Sequence, residues 1–251
     1  MGNGNGDEFW ENVWAALGQA FRIVGLILKW SVTILASLIA LSVLWVAVYR
    51  FVGPPTTFYI VQTELSGTAV DRRWIPIEAV APAVWETVIA AEDQSFCLHD
   101  GFDRKAIEEA RQRNAHGGRL RGASTISQQT AKNAFLWPAR TYVRKGFEAY
   151  FTVLEEFLWP KRRIMEVYLN VAEFGRGVFG VEAASQRFFG KPARNLSRYE
   201  AALLVTVLPN PKVRHPENPR PYVVERANVL MGRAYGVRND GLTRCMVAAE
   251  K

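Results

Sequence analysis

The residues best suited to chemistry sit in "EDQSFCLHDGFD", Glu92 to Asp103, where four acids, a histidine and a cysteine fall within twelve residues. Three readings compete: a polar surface turn, a metal site, or the acidic end of an active site. The segment before it, "AVWETVIAAED", places Trp85, Val88 and Glu92 at helical spacings with Val84 and Ile89 alongside, so Glu92 projects from a largely apolar helix face. Partial burial there would raise its pKa toward neutrality, as a general base or acid requires. The plainer alternative is that Glu92 and Asp93 simply end the helix and face water. His99 alone reads as a structural hydrogen-bonding residue, and Asp103 as a helix cap.

A second polar group follows. Gln128 and Lys132 lie four apart, as do Gln129 and Asn133, on one helix face that could grip an oxyanion or a sugar, or could simply be solvated. Arg144 stands four before Glu148 and Lys145 three before it; taken alone, that is an ordinary surface ion pair. Arg119, Arg121, Lys132, Arg140, Arg144 and Lys145 make a basic cluster. The chain as a whole carries a formal charge of +7, which suits an anionic partner.

Several classes lose support by what is missing. There is no H-E-x-x-H, G-x-S-x-G, P-loop, dinucleotide fingerprint, S-x-x-K or D-x-D, and so no cradle for a nucleotide or other organic cofactor. Cys97 and Cys245, far apart, form neither a disulfide framework nor a zinc pattern, and a bridge between them is not the expectation.

These residues need elements to hold them. Of 251 residues, 49% are apolar and 22% charged, enough for a real core. "SVTILASLIALSVLWVAVY", Ser31 to Tyr49, is uncharged and as a helix spans about 28 Å, enough to cross a hydrocarbon core. Trp30, Trp45 and Tyr49 near its ends suit the interface, and Arg22 and Lys29 before it outnumber Arg50 after it, favouring a cytoplasmic N-terminus. With such an anchor, the basic cluster points to an anionic lipid or lipid diphosphate rather than to nucleic acid. Gly53-Pro54-Pro55 reads as a stiff linker, and "TTFYIVQTEL" as a strand.

The remainder reads as helices. Asp103 caps one that stops at Gly117-Gly118, Thr125 and Gln128 form a capping box before Pro138, and a long helix over Thr141 to Trp159 carries an apolar stripe at Phe147, Tyr150, Phe151, Leu154 and Leu158. Ser197 with Glu200 opens another helix, and one more is expected near Val223 to Tyr235. The expected plan is a cytoplasmic segment (1–29), a transmembrane helix (30–50), a linker (51–72) and one mainly α domain (73–251).

Taken together, "EDQSFCLHDGFD", "GASTISQQTAKN", "RKGFEAYFTVLEE", "KRRIMEVYLN" and "GVFGVEAASQRFFGK" resemble the five ordered motifs of the peptidoglycan glycosyltransferase family. The resemblance covers about Arg73 to Pro211 and is nearest to the single-span members of Gram-negative bacteria that lack a transpeptidase domain. It implies a lysozyme-like helical fold with a smaller lobe touching lipid. It further implies an inner-membrane enzyme, with its catalytic domain in the periplasm, that polymerises lipid II and releases undecaprenyl diphosphate. By the same resemblance Glu92 is the base for the acceptor hydroxyl, and Glu148 organises the diphosphate region. Lys132 and Arg140 meet the leaving diphosphate, while Asp93, Ser124, Gln129, Asn133, Arg144 and Lys145 line the cleft. Mg2+ at the diphosphate and cell-division or elongation proteins as partners are further expectations. A lytic enzyme on a lysozyme-like fold and a non-enzymatic membrane-anchored scaffold are the rival classes.

Overall fold

The computed structural model describes residues 4–115 and 123–247. Arg119, Arg121 and the Gly117-Gly118 helix stop lie outside the described residues. Contacts divide the chain into two compact units, Met1–Trp45 and Val46–Lys251.

The first unit is almost all of α1, a helix running Gly4–Tyr49. Its stretch Trp10–Tyr49 is long and apolar enough to cross a membrane. The helix thus begins well before the uncharged run, and 40 residues reach about 60 Å, twice a hydrocarbon core of about 30 Å. Leu26, Ile27, Leu35, Leu38 and Leu44 are all exposed along it, as expected for a helix solvated by lipid rather than by protein.

The second unit is mainly helical. After the break at Gly53-Pro54-Pro55 comes α2 (Phe58–Leu65), a helix where a strand was expected. Thr57 is the reason: its side-chain oxygen accepts from the Ile60 amide as an N-cap, and that local bond outweighs the β-branched composition. The core helices are α3 (Pro82–Glu92), α5 (Ile126–Phe135), α7 (Lys161–Val171), α9 (Arg198–Val207) and α10 (Pro221–Asn239). Around them lie α4 (Arg104–Ala115), α6 (Tyr142–Leu158), α8 (Val181–Phe189) and the short α11 (Arg244–Val247). α10 packs on α3 and α9, and α5 packs on α6 and α7, with Phe96, Phe135, Tyr168, Phe174 and Phe179 fully buried.

Both expected capping boxes form, at Thr125/Gln128 and Ser197/Glu200. A small sheet was not anticipated: β1 (Asp71–Arg72) pairs parallel with β3 (Val178–Phe179), which pairs antiparallel with β2 (Glu173–Gly175). Its strands of two or three residues are too short to show alternation in sequence.

Two further expectations need correction. The buried residues of α6 are Glu148, Phe151, Thr152 and Glu155, whereas Phe147 is 46% exposed and Phe157 85%. Of the expected stripe, Phe151 is buried, Tyr150, Leu154 and Leu158 are half-buried and Phe147 is exposed, while Glu148 and Glu155 turn inward. Cys97 and Cys245 are joined in a disulfide with Cα atoms 5.4 Å apart, tying the loop after α3 to α11.

Candidate active site

Glu92 is the last residue of α3 and is half-buried. The amide of Gln129, one turn into α5, donates to its Oε2 at 2.9 Å, and the Tyr168 hydroxyl donates to the Gln129 carbonyl oxygen at 3.5 Å. Burial, and then the charge of Glu92, push the Tyr168 phenol well above its ordinary range, so it stays a donor. This relay fixes the amide orientation of Gln129 and leaves the other carboxylate oxygen of Glu92 outside these bonds.

Asp93 borders the same cleft as Glu92 but is bonded within the protein. Its side chain is 2% exposed. It meets His99 Nε2 at 3.0 and 3.1 Å through its two oxygens, and Oδ2 also accepts from the Ile126 amide at 3.0 Å. Asp93 thus staples the end of α3 to the first residue of α5. The Gly101 amide donates to His99 Nδ1 at 3.1 Å, and the Thr125 hydroxyl to the Gly101 carbonyl at 2.7 Å. Gly101 has a φ of +88°, and a Cβ there would come within 2.7 Å of Thr152 Cγ2, so no other residue fits the turn. Asp103 caps α4 as expected: although burial pushes its carboxyl up, bonds from the Ala106 amide and Ser95 hydroxyl hold it below the ordinary range.

The second carboxylate, Glu148, is 2% exposed. Arg144 Nη1 donates to Oε2 at 2.7 Å, and Lys145 Nζ donates to Oε1. This is not the surface pair that spacing alone suggested, because α6 turns Glu148 into the protein. Lys132 on α5 links the two acids electrostatically. Burial lowers its pKa, Glu148 raises it, Arg144 and Lys145 lower it, and Glu92 raises it again. The ammonium thus feels the charge of both acids.

Lys132, Gln129 and Asn133 line a small cavity of 180 Å³ with Tyr59 and Tyr168. Glu92 and Ser124 line a separate, larger cleft of 830 Å³. Arg140 is exposed in the segment between α5 and α6 and acts electrostatically on Tyr59. Tyr59 was missed in the sequence because its segment read as a strand. On α2 it reaches the cavity of Lys132, and burial chiefly raises its pKa, with Arg144 and Arg140 lowering it and Glu148 raising it. The capping Thr57, two residues before it, was the available signal.

The donor set does not fit a resident divalent metal. Both oxygens of Glu148 are occupied by cations, and no cluster of three candidate ligands occurs among the described residues.

A buried carboxylate locked by two cations, a second carboxylate at a helix end, and a half-buried lysine coupled to both define a site for moving a glycosyl group off an anionic leaving group. Comparison with known proteins agrees: a family model described as transglycosylase matches residues 60–235. The chain is 51% identical over 222 residues to the biosynthetic peptidoglycan transglycosylase of Rhodospirillum centenum, covering 88% of this chain and 96% of that one. It is 49% identical over 210 residues to that of Caulobacter vibrioides (83% and 91% covered), and 44% over 229 residues to that of Jannaschia sp. (91% and 92%). The chain belongs to the transglycosylase family.

Proposed function

We propose that the protein is a peptidoglycan glycosyltransferase that polymerises glycan strands, transferring a growing lipid-linked chain to the 4-hydroxyl of lipid II. Glu92 takes the proton of that hydroxyl through the oxygen that Gln129 leaves unbonded. The hydroxyl oxygen forms a bond to the anomeric carbon of the donor, the bond to the lipid diphosphate breaks on the opposite face, and the configuration inverts. Negative charge grows on the departing diphosphate, where Lys132 and Arg140 meet it and Arg144 and Lys145 are held beside it by Glu148. The observation that carries this reading is the pair of inward carboxylates, Glu148 bonded by Arg144 at 2.7 Å and by Lys145, and Glu92 bonded at 2.9 Å by Gln129 on the helix that also carries Lys132. A magnesium ion taking part would be held by the oxygens of the diphosphate, and no step here runs through it.

The apolar helix α1 supports a membrane anchor, and we place the catalytic domain on the periplasmic side of the inner membrane with the N-terminus cytoplasmic. The Cys97–Cys245 bridge supports this, since disulfides persist in oxidising compartments. The outward apolar residues of α6 and α2, including Phe157, Phe147, Phe58 and Leu65, support contact of this domain with the bilayer. Division or elongation proteins remain proposed partners.

The test is incubation of the purified full chain with lipid II. Polymer with release of undecaprenyl diphosphate is expected. Shortening of preformed glycan would indicate a lytic enzyme, and inertness toward both a scaffold.

A further inference from the structure

The 830 Å³ cleft continues well beyond Glu92. It runs from Glu92 and Ser124 over the first turn of α4 and against α10, near the top of the range of about 300–1,000 Å³ for small-ligand sites. Its far walls carry Arg104 and Lys105 from α4 and Arg233 from α10. All three are exposed, and no hydrogen bond or ion pair joins their side chains to another described residue.

The acids sharing this cleft are mostly spoken for. Asp93 is held by His99 and the Ile126 amide, Asp103 by Ser95 and the Ala106 amide, and Glu109 by Arg113 at 3.0 Å. Among the described residues, exposed Asp100 and half-buried Glu92 are the other acids that line the cleft. The wall is also fixed in place: α10 leads through Leu242, which lines the cleft, to Cys245, bonded to Cys97 in the loop that supplies the opposite wall. Arginines with unfilled donors suit planar anions, above all carboxylates.

Resting on the glycosyltransferase reading, we propose that Arg104, Lys105 and Arg233 recognise a carboxylate of the peptide borne by the acceptor sugar, selecting acceptors that carry an intact peptide. The substrate of that reading supplies the anion, because the sugars of peptidoglycan bear peptides and peptides end in carboxylates. The lipid diphosphate is the competing anion for the same cations.

The experiment measures kcat/KM of the full chain with two synthetic lipid-linked acceptors, one with its peptide carboxylates free and one with them amidated. The wild type is expected to prefer the free form by about tenfold, the effect of one charge-assisted hydrogen bond. Arg104→Gln/Arg233→Gln is expected to lose about that factor on the free form and to turn over the amidated form as the wild type does. Equal loss on both acceptors would assign the cations to diphosphate, and no loss on either would leave them without a role; both overturn the proposal. Should the variant fail to fold, equal kcat/KM for the two acceptors in the wild type overturns it alone. A wild type that polymerises neither acceptor refutes the glycosyltransferase reading instead.

Discussion

Gln129 donates to Glu92 at 2.9 Å from a helix whose first turn is itself pinned by Asp93, the residue adjoining Glu92. One end of α3 therefore carries the carboxylate proposed as the base and a carboxylate that holds, and the two are separable by mutation. Glu92→Gln removes the base while keeping the shape, and activity should fall by about 10²- to 10⁴-fold, the usual worth of a positioned base. Glu92 is half-buried with one bond, so the melting temperature should hardly move. Lipid II turnover and a thermal melt check both; near-normal turnover would remove Glu92 from the mechanism.

Asp93→Ala should behave in the opposite way. It leaves the Ile126 amide and His99 without their acceptor inside the protein, at a cost of about 1–3 kcal/mol for each stranded group. Urea unfolding should show that loss, with activity falling alongside it. A variant of unchanged stability but raised KM would instead mean that Asp93 touches substrate.

Lys132 offers a pH signature. In the proposed mechanism it acts as an ammonium, and its pKa lies below the ordinary lysine value of 10.5, chiefly through burial. Its proton is therefore lost at lower pH than usual, and the alkaline limb of kcat/KM, which reports the free enzyme, should fall before the ordinary lysine range. Lys132→Arg keeps the charge and should move that limb upward, whatever its peak rate. Lys132→Met should cost about 10²-fold in rate while leaving the melting temperature unchanged or raised, because a disfavoured buried charge is gone.

Glu155 gives a stability prediction. Both its oxygens are buried without a hydrogen-bond partner, and burial, then Glu156, raise its pKa well above the usual carboxyl range, with Lys161 opposing. Between the unfolded and folded pKa values the native state holds a proton the unfolded chain has released, so stability falls as pH rises through that window. Glu155→Leu should stabilise by about 1–3 kcal/mol at pH 7, and by less at about pH 3, where both states are protonated. Thermal melts at the two pH values decide it; an equal gain at both would mean that the carboxyl titrates normally.

The bridge between Cys97 and Cys245 should carry stability as well. Its reduction, or Cys97→Ser, should cost about 2–5 kcal/mol. Denaturant midpoints with and without reductant measure this, and coincident midpoints would show that the bridge contributes nothing.

What the sequence by itself determined was whatever is decided within a turn of helix. The caps at Thr125 and Ser197, the Asp103 cap, the uncharged run in α1 and the helical character of the domain were legible because their causes lie three or four residues apart. Glu92 at the end of an apolar helix face was legible for the same reason. The helix α2 was the local failure, where one capping threonine outweighed a β-prone composition.

Only the tertiary structure decided which way each helix faces and what meets across distance. Spacing showed that Glu148 is within reach of Arg144 and Lys145, but not that α6 turns this group inward. The polar side of α6 carries the buried Glu148 and Glu155, so the apolar stripe alone does not say which side packs, and the neighbouring helices choose. Asp93 became a staple only when α5 arrived beside it, 33 residues along the chain. The bridge from Cys97 to Cys245 spans 148 residues, beyond any local signal. Loop closure over such distances depends on the whole packed core, so a short window of sequence cannot register it.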